Sequence, residues 1–296
     1  MEYKTILYEV DRGRARLTLN RPERRNAISD QLLEELSHAV WEADDDKSVH
    51  CVIVRGAGPS FCSGYDLSGS GSTRPKDEVE RRDGSTIDDD AWMIERRTRH
   101  LRPLLEMHKP SIAQIHGHCL AGGTDIALFC DMLIAADDAS IGFPPARNLG
   151  ALPNNMWLYH CGPQWAKRLQ LTGDTVSGAD AARIGLVMKS VPAERLEAEV
   201  EGLADRLALI DPDLLSANKR IINIGLELMG AGTLQRLAGE NDTRAHLAPG
   251  TRAFYQASRE KGLREAIRER DAAFGDGRAR VSGPEIRDEE GRLIEP

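Results

Sequence analysis

Hydrophobic and polar positions alternate over the first twenty residues. In KTILYEV and RARLTLN the period of two predicts a pair of strands, and the intervening DRG predicts a hairpin turn. Over RPERRNAISDQLLEELSHAVWEADDD the period lengthens to that of a helix. Leu32, Leu33, Leu36, Val40 and Trp41 fall on one stripe, and Ser29 stands where a cap is needed. HCVIVRGAG then reads as a short buried strand closed by glycine. The succession repeats: PSIAQIHG is a strand, GTDIALFC a helix, and DMLIAADDASIG one or two strands. PQWAKRLQLTG and SGADAARIG read as short helices and LVMKSVP as a strand. The chain is therefore of the α/β class, built from short ββα units. Beyond about residue 193 the strand signals stop. AERLEAEVEGLADRLALI, PDLLSANKRIINIGLELMG and GLREAIRERDAAFG read as helices of a separate layer.

Two stretches lack periodic apolar positions. LSGSGSTRPKDEVERRDGSTIDDD, residues 67–90, reads as a long loop or flap. The last twenty or so residues are highly charged and read as a solvated, flexible tail.

Composition narrows the class of partner. The 296 residues carry a net charge of −8, which disfavours a nucleic-acid partner. Five cysteines are scattered without a CxxC pair and read as reduced core thiols of a cytoplasmic protein. MEYKTILYEVDRG contains no apolar signal region, and Asp125 and Asp131 interrupt the best candidate for a membrane span.

The chemistry concentrates in IHGHCLAGGTDIALFC, Ile115 to Cys130. GHCLAGGT has the glycine spacing of a phosphate loop, but Gly123 stands where its lysine belongs, so the principal charge is missing. His116 and His118 fall on one side of an extended chain, as two metal ligands would, yet no third ligand has a diagnostic spacing; structural histidines are the alternative. There is no G-x-S-x-G elbow, and GSGSTR lacks the final glycine of a dinucleotide fingerprint. What does fit is a helix start whose unpaired N–H groups hold an oxyanion, with glycine allowing close approach. Asp125, one turn past Gly122, is placed to exchange a proton there, or else merely complements the helix dipole. A second small-residue turn, Cys62-Ser63-Gly64, precedes Tyr65 in GPSFCSGYDLSG and offers another N–H.

LNRPERRNAIS, FCSGYDLSG, IHGHCLAGGTDIALFCDMLIAADDASIGFP and LTGDTVSGADAARIGLV together resemble the crotonase (enoyl-CoA hydratase/isomerase) superfamily, in order from about residue 3 to about 275. The resemblance implies a crotonase-like spiral of ββα units over residues 1–200, and a C-terminal helical trimerisation region over 201–275. The charged tail would cover 276–296. It implies a homotrimer or a hexamer of two trimers. It further implies an acyl-CoA substrate, no cofactor beyond the coenzyme A that the substrate carries, and no metal. A thioester carbonyl would be held by the N–H groups of Tyr65 and Gly122, with Asp125 as catalytic acid. Arg25, Ala27, Ser63, Asp66 and Leu67 are implied around coenzyme A, with Pro145 and Arg147 along the pocket and Phe274 reaching from the last helix.

Two departures bear on the reaction. Asp125 stands where related hydratases carry glutamate, and GFPPA places Pro145 or Ala146 where they carry a second acid. Tyr65 replaces a small residue, so its ring either lines the acyl pocket or faces solvent. Hydration of an enoyl-CoA is the leading expectation. Isomerisation, hydrolysis or decarboxylation with one acid, and acyl-CoA binding without turnover, remain open.

Overall fold

The computed structural model describes residues 1–67 and 86–295. It opens with β1 (Ile6–Asp11) and β2 (Arg14–Leu19), paired antiparallel. Arg12 and Gly13 turn the hairpin with φ of +47° and +78°, a geometry whose twist matches that of the strands. Helix α1 (Asp30–Asp45) follows, with the Ser29 hydroxyl accepting the Leu32 N–H at 3.1 Å. Leu32, Leu33, Leu36 and Val40 are buried as their spacing predicts. Trp41 departs from the stripe and is 43% exposed, because Ala39 and Ala43 fill the inward face beside it.

The chain continues through β3 (Cys51–Gly56), α2 (Ile87–Leu101), the single turn α3 (Pro103–Glu106), β4 (Ser111–Ile115) and β5 (His118–Leu120). Helix α4 (Gly122–Leu128), β6 (Met132–Ala136), β7 (Ser140–Gly142), α5 (Trp157–Thr172), β8 (Thr175–Ser177), α6 (Gly178–Arg183) and β9 (Lys189–Val191) complete the core. A six-stranded sheet runs in the order β1-β2-β3-β4-β6-β9 and is parallel from β2 onward. A smaller sheet, β5-β7-β8, stands apart from it. Successive units thus contribute strands to two different layers, the consequence of short ββα repeats.

Five helices follow: α7 (Leu196–Leu207), α8 (Pro212–Leu228), α9 (Ala231–His246), α10 (Pro249–Lys261) and α11 (Leu263–Asp271). α7 buries Leu196, Val200 and Ala204, and it packs on β3, β4, β6 and β9. α9 packs against α2.

Two expectations are corrected. Of the stretch read as a loop, residues 68–85 lie outside the described residues, but Ile87–Asp90 begin α2. The Thr86 hydroxyl caps that helix by accepting the Asp89 N–H at 3.1 Å, and three aspartates in the first turn complement its dipole. The charged tail is not detached. Its backbone pairs with Thr175 on β8 through Gly277 and Ala279, Leu293 pairs with Gly275, and Ala279 and Leu293 are buried. Ion pairs such as Arg168 to Glu285, at 2.5 Å, let so polar a segment lie against the core.

Candidate active site

Residues 62–66 form an extended segment held on both sides. On one side Ile28 N–H donates to Gly64 O, Ser63 N–H to Arg25 O and Asp66 N–H to Ile28 O, at 2.8, 3.0 and 2.9 Å. On the other, Cys62 N–H donates to His118 O and Leu120 N–H to Cys62 O, both at 2.9 Å. RRNA, FCSGYD and HCLAGG, far apart in sequence, are thereby brought side by side. In this register the neighbours of Tyr65 use their polar groups toward Ile28, which turns the Tyr65 N–H the opposite way.

The start of α4 lies against this segment. Gly64, at φ +98°, approaches so closely that a Cβ there would lie 2.6 Å from Ala121 Cβ and 3.3 Å from Gly122 N. Ala121 carries φ +51°, a conformation costly for an L residue. It is pinned by its own N–H to Gly142 O at 2.9 Å and by the Thr124 hydroxyl on its carbonyl at 2.7 Å. Gly122 is the first residue of the helix, where its N–H has no intrahelical acceptor, and a Cβ on it would lie 2.7 Å from the Tyr65 ring.

Asp125 lies one turn further on. It is 2% exposed, and neither carboxylate oxygen has a hydrogen-bond partner. Burial drives its pKa well above the usual range; nearby Asn154 offsets this somewhat, and Asp242 adds to it. Asn154 is itself buried with both side-chain polar atoms unpaired, close to Asp125 yet short of hydrogen-bond geometry. Buried polar atoms are nearly always paired, so two neighbouring unsatisfied side chains make this a candidate site. Tyr65 lines the same space. Its hydroxyl pKa is raised, first by burial and then by the charge of Asp125, and Arg97 of α2 lies 5.4 Å from its ring centre.

The other expected residues divide. Arg25 and Leu67 are exposed, Ala27 and Ser63 partly so, all beside the 62–66 segment. Asp66 is fixed by Arg21 at 2.9 Å, and the same guanidinium holds Ala27 O. Pro145 caps a turn whose carbonyl accepts the N–H groups of Asn148, Leu149 and Gly150. Arg147, by contrast, is committed within the protein. Its side chain is 5% exposed and pairs with Asp174 at 3.0 Å and Asp271 at 2.8 Å, over the ring of Phe274 at 3.9 Å. Arg147 and Phe274 therefore tie the end of α11 to the core, where the expectation had them on the substrate.

His116 bonds to Gly58 O and His118 to the Ser60 hydroxyl. Among the described residues no three His, Cys, Asp or Glu side chains are grouped to hold a metal, and no helix is long and apolar enough to cross a membrane.

Sequence reasoning missed α9. Its Asp242 accepts the Ala151 N–H at 2.8 Å, and its charge reaches both Asp125 and Tyr65. Its Gln235 accepts the Asn155 N–H at 2.6 Å, so the helix clamps the loop that carries Asn154. The helix is polar on several faces, and no strong periodic stripe marked it.

The sequence profile described as Enoyl-CoA hydratase/isomerase matches residues 9–275. The chain belongs to this family. It is 33% identical over 232 residues to a probable enoyl-CoA hydratase of Mycobacterium bovis, covering 77% of this chain and 84% of that one. To the crotonyl-CoA hydratase of Syntrophomonas wolfei it is 32% identical, with the same coverage. The crystal structure of an enoyl-CoA hydratase from Mycobacterium smegmatis superposes with a TM-score of 0.85 at 39% identity, over 92% of this chain and 94% of that one. An enoyl-CoA hydratase/isomerase from Xanthobacter autotrophicus Py2 gives 0.84 at 36%, over 92% and 99%. The two-layer spiral described above is thus the crotonase fold, and the strained Ala121-Gly122 turn lies within the profile match.

Proposed function

We propose that the protein hydrates a 2-enoyl-CoA thioester. The observation that carries this is Asp125: a buried carboxyl with no partner, one turn beyond Gly122 and in the space lined by Tyr65. The N–H groups of Tyr65 and Gly122 hold the thioester oxygen, stabilising the enolate that forms when water adds at C3. Burial raises the pKa of Asp125 and so favours its protonated form, which delivers its proton to C2. Oxyanion donors and proton carriers suffice for this reaction, so coenzyme A enters only as part of the substrate.

Exposed Arg25 suits the phosphates of coenzyme A, and Ala27, Ser63, Asp66 and Leu67 flank its path, with Pro145 beside the acyl pocket. The exposed apolar residues Leu214, Ile221, Ile222, Leu228 and Met229 on and just after α8 favour a homotrimer, or a hexamer of two trimers, built on the C-terminal helices. Five buried free thiols fit a reducing, cytoplasmic setting.

Purified protein is offered saturated, unsaturated and branched acyl-CoA esters, and products are read by mass. Gain of one water supports hydration; a product of unchanged mass reveals isomerisation. Loss of the acyl group or of carbon dioxide reveals hydrolysis or decarboxylation, and binding without turnover reveals a carrier. Pro145 or Ala146 at the second acid position is the specific feature favouring single-acid isomerisation as the second reading.

A further inference from the structure

Hydration needs a base for the water as well as an acid for C2, and Pro145 supplies none. The loop that begins at Pro145 leads directly to a carboxylate on another element. Pro145 O accepts Gly150 N–H, and Gly150 packs so tightly on α9 that a Cβ there would lie 2.5 Å from Asp242 Oδ1 and 3.0 Å from His246 Nε2. The next residue, Ala151, donates its N–H to the same Asp242 oxygen at 2.8 Å. Asp242 is 6% exposed, and its charge raises the pKa of Asp125. Behind Asp242 stands His246, with Nε2 3.4 Å from Oδ1, and His246 Nδ1 is 2.6 Å from Asp90 of α2.

We propose that Asp242 is the missing second catalytic group, the general base facing Asp125, and that His246, anchored by Asp90, is its positioning residue. The inference rests on the hydratase reading. Asp242 takes a proton from water as the water oxygen bonds to C3. The C2=C3 electron pair moves into the thioester enolate, whose oxygen is held by the Tyr65 and Gly122 N–H groups. The enolate returns that pair to C2, which takes the proton of Asp125. One water has been added, Asp242 is protonated and Asp125 ionised, and one proton passing from the former to the latter resets the site.

The two carboxyls are suited to different roles. The pKa of Asp242 is raised to about 6, chiefly by burial; His246 and the Ala151 N–H hold it down and Asp90 pushes it up. At about 6 it is largely ionised at neutral pH, whereas burial of Asp125 favours its protonated form. His246 is favoured as imidazolium, first by its bond to Asp90 and then, against burial, by the charges of Asp242 and Asp90, while Arg97 opposes. Among the described residues, Tyr65 and Tyr255 also feel the charge of Asp242, and Cys62 and Cys119 that of Asp125.

The test compares wild type, D242N and H246Q on a turned-over 2-enoyl-CoA, with melting curves and CoA-ester affinity measured alongside. D242N is expected to lose about 10²- to 10⁴-fold in kcat while still binding ester. In the wild type, kcat/KM rises with pH through about 6, the Asp242 value; in H246Q this limb moves to higher pH because the imidazolium is gone. Wild-type kcat in D242N, or, where D242N does not fold, an unmoved limb in H246Q, overturns the inference. Should the wild type hydrate no enoyl-CoA, the functional reading fails and the inference with it; hydration that D242N leaves at the wild-type rate overturns the inference alone.

Discussion

The ring of Tyr65 lies across Gly122: a Cβ at residue 122 would fall 2.7 Å from both Cδ2 and Cε2 of that ring. In the proposed site one residue thus contributes both a backbone N–H for the oxyanion and a side chain that covers it. Tyr65→Ala keeps the N–H and removes the roof. It is expected to admit bulkier acyl chains, seen as a lower KM for branched or long esters relative to short ones. Gly122→Ala forces the ring aside and displaces the N–H, lowering kcat by about 10²- to 10³-fold, the usual cost of losing one oxyanion donor. Steady-state kinetics over a chain-length series checks both.

Asp125→Asn removes the proposed proton donor and is expected to lower kcat by about 10²- to 10⁴-fold, with ester affinity retained. Its effect on stability has the opposite sign. The folded-state pKa of Asp125 lies above its unfolded value, so its contribution is most favourable below about pH 4 and is lost as pH rises toward the folded value. Asn escapes that loss, so the mutant should melt higher than wild type at pH 8 and not at pH 4, by calorimetry at both.

Arg147→Ala leaves Asp174, 5% exposed, without one of its two cations and uncovers the Phe274 ring. Breaking a buried pair costs about 3–5 kcal/mol. Denaturant unfolding should show that loss, while KM for the CoA ester of the folded mutant stays near wild type. A large KM change with unaltered stability would return Arg147 to the substrate.

Glu35 of α1 is 3% exposed and accepts the N–H groups of Lys4 and Thr5 and the Thr5 hydroxyl through one oxygen. Burial raises its pKa, but the bonds from Thr5, Gln31 and Lys4 outweigh it, so the net shift is downward. The stability it contributes is present above the unfolded value of about 4.3 and is lost as pH falls through the lower folded value. Glu35→Gln should cost about 1–3 kcal/mol at pH 7 and less at pH 3, by urea titration at each pH.

The sequence by itself determined the alternation of short strands and helices, the Ser29 cap, the hairpin at Arg12-Gly13 and the pairing of Gly122 with Asp125 within one turn. Each depends on neighbours within a few residues, where side-chain period and backbone preference act directly. Only the tertiary structure decided that Arg147 is spent on Asp174 and Asp271, that the charged tail pairs with Thr175, and that α9 brings Asp242 against the loop after Pro145. Those contacts join residues from 27 to 124 positions apart in the chain. A polar residue on a polar helix carries no local mark of what it will face, because its partner and its desolvation exist only once distant elements pack.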